Sequence, residues 1–367
     1  MRHALRLLSL MSVISAAGAA ELTYYIGTSG AQAQGILRGT IDSETGKLTE
    51  PTLLAAAKGA SYLAISKDGK VIYSTSEVAG GGVAAYRILA DGKGQLINAE
   101  DTKGKGCTHL SIDPAGHNLL AANYGSGSVA CLPIKADGSL AAVSSFDQHV
   151  GTGPDVKRQA GPHAHGIYPD AAGKFVYVPD LGTDDVFIYR LNAGKGTLTL
   201  NAPQSGRVAP GSGPRHLAFH PQGGFAYVCN EMALTVSTFA VNADTGAMKE
   251  IQTLPTLPSD ASSAGASTAE IFCLPNGKAL YVSNRGNDSL AVFAIGADGK
   301  LSLSQHMMNT PATPRGFGLS NDGRWLVCAG QKSGTINAYR VNASTGRLDD
   351  TYQSVKAAAS CCIIFAP

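Results

Sequence analysis

The sequence predicts an all-β fold, a seven-bladed β-propeller, on three observations. One strand–turn–strand unit recurs at intervals of roughly fifty residues. Two further strand-like segments follow each copy, giving four antiparallel strands per unit. The two ends of the chain supply complementary parts of one more unit.

The unit is a polar residue, an apolar strand, a Pro/Asp-x-Gly type of turn, a second apolar strand and a closing polar residue. Its copies are SYLAISKDGKVIYSTSE from Ser61, THLSIDPAGHNLLAANYG from Thr108, AHGIYPDAAGKFVYVPDLG from Ala164, RHLAFHPQGGFAYVCNE from Arg215, EIFCLPNGKALYVSNRG from Glu270 and RGFGLSNDGRWLVCAGQ from Arg315. Third strands follow as GGVAAYRI, GSVACLPI, DDVFIYRL, LTVSTFAV, DSLAVFAI and GTINAYRV. Fourth strands are expected to open near Leu96, Leu140, Leu198, Met248, Leu301 and Leu348.

At the N-terminus, TYYIGTS, GILRGTI and LTEPTLL read as second, third and fourth strands; SCCIIFA near the C-terminus supplies the missing first. A ring that shares one blade between its ends leaves no open sheet edge. A solenoid would need no such split unit. No Pro- or Ser-rich linker divides residues 21–367, which read as one propeller domain.

Residues 1–20 read as a signal peptide: basic MRHALR, apolar LLSLMSVISAA, then small residues for cleavage after Ala19 or Ala20. The apolar run is too short for an ordinary membrane span. The mature protein is therefore expected in the periplasm or secreted, as a monomer. A formal net charge of +2, partly from Arg2 and Arg6, and the lack of a basic block argue against a nucleic-acid partner. The 7 cysteines include no metal-like CxxC pair. Cys229, Cys273 and Cys328 lie in apolar strand patterns and read as free. Cys361 and Cys362 should point to opposite faces of one strand.

The repeat's phase locates the chemistry. Residues just before a first strand and just after a second strand lie at the rim opposite the glycine turn. The first group holds His109, His163, His165, Arg215, His216, Glu270 and Arg315. The second holds Glu77, Asn123, Tyr124, Asp180, Asn230, Glu231, Asn284, Arg285 and Gln331. Repeated Arg, His and Asn differ from the Lys and Glu of a solvated rim and suggest a binding pocket. Arg215, Arg285 and Arg315 could clamp an anion or stabilise an oxyanion. Glu231 could be a general base, or could simply hold Arg215. His165 could activate water, with His163 two residues away as the alternative, or the pair could tie down a loop. Three mouth arginines disfavour a metal, and no cofactor motif, GxSxG elbow or HExxH helix occurs.

Four of these segments carry a resemblance. NYGSGSV at Asn123, GPHAHG at Gly161, GPRHLAFHP at Gly213 and SNRGNDS at Ser283 resemble, in the same order, the lactonase family with a seven-bladed β-propeller. That family includes the bacterial 6-phosphogluconolactonase of propeller type and the fungal carboxy-muconate lactonizing enzyme. The resemblance implies a metal-free site with His165, Arg215, Glu231 and Arg285 as catalytic residues. His109, Asn123, His163, Asn230, Glu270, Asn284, Arg315 and Gln331 are further candidates for substrate binding. The expected reaction is hydrolysis of a small sugar lactone, neutral or anionic, to its aldonic acid. The alternatives are a carboxy-muconate-type cycloisomerase and a non-enzymatic binding propeller. The leader sets this chain apart, since a phosphorylated lactone is normally met in the cytoplasm.

Overall fold

β-Branched and aromatic residues between glycine turns fold each unit into an antiparallel sheet. The computed structural model describes residues 20–367, so the predicted leader lies outside the described residues apart from Ala20. Twenty-eight strands form seven four-stranded sheets. Blades I to VI span 63–101, 107–148, 168–207, 214–255, 267–307 and 314–356. Blade VII joins the C-terminal strand Ser360–Phe365 to Glu21–Thr28, Ile36–Asp42 and Thr52–Ala55, with Ile363 opposite Ile26.

First strands of most adjacent blades touch around the axis, and fourth strands lie on the outside, several meeting the fourth strand of the next blade. The core lies between blades. Seven apolar clusters occupy the seven blade-to-blade interfaces, which is the condition for a closed ring. A repeated hydrogen bond pins these interfaces. Tyr73, Tyr177, Tyr227 and Tyr281 each donate to a glycine carbonyl in the outer hairpin of the next blade, at 3.0, 3.0, 3.1 and 2.7 Å. Between blades VI and VII the indole of Trp325 does this instead, donating to the Ser43 carbonyl at 3.1 Å.

Two strands depart from expectation. Leu140 does not open a fourth strand; it makes an isolated bridge to Ile134, and the strand forms at Ser145–Gln148. The Asn98 side chain of blade I already accepts from the Leu140 N–H at 3.0 Å and donates to its carbonyl at 2.9 Å. Likewise, the first strand of blade III is only Tyr168–Pro169. His109 accepts from the Ile167 N–H and Ser111 donates to its carbonyl, at 3.2 and 2.8 Å. Such a contact does not by itself end a strand: Gln252 and Gln305 hold Leu301 and Leu348 in the same way, and both residues open fourth strands. All seven cysteines are free, and Cys107 and Cys273 are only half-buried.

Ring closure should control stability. Ile363 is 2% exposed in the cluster between blades VI and VII. Ile363→Asp is expected to cost about 4 kcal/mol or more in urea unfolding, because a buried carboxylate gains no partner there. Leu53→Asp on the outer edge, where Leu53 is half-exposed, should change stability by less than about 0.5 kcal/mol.

Candidate active site

The first strands of blades II, IV, V and VI all carry a bulge at their axial start, between Cys107/His109, Pro214/His216, Thr268/Ile271 and Pro314/Gly316. Consecutive strand residues normally face opposite ways. A bulge breaks that alternation and re-aims a side chain. In blade IV, adjacent Arg215 and His216 consequently meet, with Arg215 Nη1 3.2 Å from His216 Nε2.

The mouth holds a cavity of about 210 Å³ lined by Thr108, Tyr124, Arg158, His165, Glu231, Arg285 and Arg315. Blades II, IV, V and VI contribute, together with Arg158 and His165 from the segment between blades II and III. Glu231 is its centre of charge. Its Oε2 accepts from Arg215 Nε at 3.1 Å and lies 3.0 Å from Arg285 Nη2. Its Oε1 accepts from Arg158 Nη2 at 2.7 Å. Burial alone would raise the Glu231 pKa, but Arg285, Arg215 and Arg158 outweigh it and hold the carboxyl at about 2. Glu231 is thus ionised and saturated with donors.

The guanidiniums are less completely used. Arg215 is buried, and its Nη1 also donates to the Ala269 carbonyl. Arg285 donates to the Thr268 carbonyl at 3.1 Å, yet its buried Nε has no partner. Burial first, then repulsion from Arg215, lowers the Arg285 pKa to about 10. Arg315 has no hydrogen-bond or ion-pair partner among the described residues, and burial followed by Arg215 lowers its pKa.

His165 is buried at the cavity wall, and its Nδ1 has no partner. Burial, then Arg215, His216 and Arg315, push its pKa well below the usual imidazole value. The ring is therefore neutral at physiological pH. Its backbone N–H donates to Pro179 at 2.9 Å. Gly182 permits this fit, since a Cβ there would sit 1.9 Å from the Gly161 carbonyl oxygen.

The other candidates fall into separate places. His163 does not line the cavity; its Nδ1 donates to the Tyr124 carbonyl at 2.8 Å, and its ring stacks on Tyr124 at 4.5 Å. Asn123 and Asn284 are buried staples. Each accepts at 2.8 Å from a threonine of the preceding inter-blade segment, Thr102 or Thr256. Asp180 does the same work with His149 at 2.6 Å. Asn230 bonds Thr235 and Ser237 of its own blade at 2.9 and 3.0 Å. Gln331 reaches the Cys361 sulfur at 3.3 Å. His109 and Glu270 lie beneath the cavity in a buried layer with His216, Tyr62 and Tyr168.

Sequence reasoning missed Arg158 and Thr108. Arg158 sits in the long segment between blades II and III, where no repeat position exists to flag it. Its loop is anchored by buried Gln159, which donates to Leu181 and Asp184 at 2.8 Å each. The available signal was length: a long unpatterned connection within a compact domain is often functional. No group of three or more His, Cys, Asp or Glu among the described residues could hold a metal ion. A larger groove, about 650 Å³, lies between blades I and II at the glycine-turn rim. Its charges, such as Lys67, Asp68 and Lys135, are of mixed sign, so the smaller mouth is the better site chemically.

A closed propeller with an arginine-rich, partly unsatisfied axial pocket is suited to a small polar ligand. Residues 23–365 match the family described as Lactonase, 7-bladed beta-propeller. The chain is 34% identical to the 6-phosphogluconolactonase of Bacillus subtilis over 353 residues, covering 94% of this chain and 99% of that one. It is 32% identical to the 6-phosphogluconolactonase of Pectobacterium carotovorum, covering 82% of each. Among solved structures, the Pseudomonas aeruginosa periplasmic gluconolactonase superposes with a TM-score of 0.87 at 29% identity, covering 95% of this chain and 99% of that one. This chain belongs to the seven-bladed β-propeller lactonase family.

Replacing Glu231 tests its role as the counter-charge. Glu231→Gln strands three guanidiniums and should cost about 3–5 kcal/mol in denaturant unfolding near neutral pH. The pH dependence has a definite sign. A carboxyl lowered from 4.5 to about 2 stabilises fully above its unfolded value and loses that contribution as pH falls through the folded one. The loss, on the order of 3 kcal/mol between pH 4.5 and 2, should be smaller by that amount in Glu231→Gln.

Proposed function

We propose that the protein hydrolyses a small sugar lactone, a gluconolactone or its 6-phosphate, to the open aldonic acid at the channel mouth without a metal ion. The observation that carries this reading is the neutral, unbonded His165 facing guanidiniums with unused donors. A general base must be deprotonated and free to accept, and His165 is both. Glu231 is ionised, but both its oxygens are engaged. It is assigned the role of holding Arg215, Arg285 and Arg158.

Water attacks the lactone carbonyl carbon while His165 takes its proton. Arg285 donates to the oxygen that becomes negative, and this interaction grows as the tetrahedral intermediate forms. Collapse breaks the ring C–O bond. The imidazolium returns its proton to the departing ring oxygen, leaving an alcohol and a carboxylic acid that ionises. The lactone is already activated, so no covalent protein nucleophile is needed.

Arg315, with no protein counter-charge, is assigned to an anionic or hydroxyl-rich part of the substrate. Binding an anion there would also offset the positive field that weakens His165 as a base. Export is part of the proposal. It rests on the basic, apolar and small-residue pattern of the first twenty residues and on the periplasmic location of the similar Pseudomonas aeruginosa gluconolactonase.

The test is a kinetic panel of gluconolactone and its 6-phosphate. Hydrolysis above the buffer rate is expected for at least one; buffer-level rates for all lactones would refute the proposal. His165→Ala should lower kcat about 10²- to 10⁴-fold. Arg315→Ala should raise KM for the phosphorylated lactone about tenfold or more, with less than about a threefold effect on the neutral one. Equal effects on both would contradict the anion assignment.

A further inference from the structure

The buried layer beneath the cavity contains a chain of contacts that the mechanism above does not use. Glu270, from blade V, is 3% exposed. Its Oε1 lies 2.7 Å from His216 Nδ1 and accepts from the Ile271 N–H at 3.1 Å. Arg215 Nη1 rests against the same imidazole, 3.2 Å from Nε2 and 3.4 Å from Nδ1. Arg215 in turn holds Glu231 at 3.1 Å. The chain runs from Glu270 through His216 and Arg215 to the carboxylate of the mouth.

The Glu270 contact selects one tautomer. An ionised carboxylate only accepts, so the His216 proton sits on Nδ1 and points at Glu270, and Nε2, the ring nitrogen nearer Arg215 Nη1, is bare. The other tautomer would leave two acceptors 2.7 Å apart. Burial, then Arg215 and Arg315, hold His216 well below its usual pKa, so the ring carries a single proton.

We propose that Glu270 is a positioning residue for lactone hydrolysis: its carboxylate fixes the His216 tautomer, and His216 thereby orients Arg215 against Glu231 at the floor of the site. This inference rests on the lactonase reading. Its logic is that of a histidine oriented by a carboxylate behind it.

The arrangement carries a pH signature. Burial raises the Glu270 pKa, partly offset by Arg215, to about 7. Protonated Glu270 would donate to Nδ1 and drive the His216 proton toward Arg215. Around this pair stand Tyr62, His109, His165, Tyr168, Arg215, Cys229, Glu231, Arg285, Arg315, Cys361 and Cys362. Burial keeps the two further histidines neutral and pushes the tyrosines and cysteines up. Glu231 stays ionised. Near neutrality Glu270 is thus the group of this layer placed to change charge.

The test measures kcat and KM against pH for the wild type, Glu270→Gln and Glu270→Ala, on a lactone that the wild type hydrolyses. The wild type should lose kcat as pH falls through about 7, with KM nearly constant. Glu270→Gln keeps an acceptor for the same N–H and cannot titrate. It should retain kcat within about threefold and lose that acid limb. Glu270→Ala should lower kcat at least about tenfold with KM within about twofold. Should the alanine variant fail to fold, the glutamine profile alone decides. An acid limb unchanged in Glu270→Gln, or an alanine variant with wild-type kcat, overturns the inference. An inactive wild type would instead fail the lactonase reading and this inference together.

Discussion

The mouth of this propeller depends on one carboxylate. Glu231 is surrounded by Arg158, Arg215 and Arg285 within 3.1 Å, and no other acidic side chain lines the cavity. Several guanidiniums in one desolvated space would repel one another without such a centre. With it, they are fixed in place while keeping donors to spare. Glu231 is therefore better suited to organising the site than to accepting a proton, and His165, neutral and unbonded, is left for that task. The arginines ionise the carboxyl against its burial, while burial first, and then Arg215, keep the imidazole neutral.

The ring explains how such a site is assembled. At the ends of the second strands of blades II to V, one residue ties down the strand end and the next follows it toward the mouth. Asn123, Asp180, Asn230 and Asn284 are the staples. Tyr124, Leu181, Glu231 and Arg285 follow them, and three of these four line the cavity. A fixed staple and a variable successor let the fold keep its interfaces while the mouth changes chemistry. The first-strand bulges do the same from the other side, freeing Thr108, Arg215 and Arg315 from the strand alternation.

Much of this was legible in the sequence. The glycine turns gave the period, and the C-terminal SCCIIFA closed blade VII as its spacing required. The repeat phase brought His165, Glu231, Arg285 and Arg315 to one rim. It could not separate the asparagine staples from their neighbours, because adjacent positions pass the same filter. Nor could it foresee the Asn98 clamp on Leu140, which is a contact between blades. Arg158 was invisible for a different reason: it belongs to no repeat, and only the folded loop carries it to Glu231.

The most direct measurement is a crystal structure with a bound aldonate, the product of lactone opening. The account predicts the product carboxylate at the mouth, within hydrogen-bond distance of Arg285 and His165, with Glu231 still bonded to Arg215. An aldonate bound in the groove between blades I and II, or one that displaces Arg215 from Glu231, would contradict it.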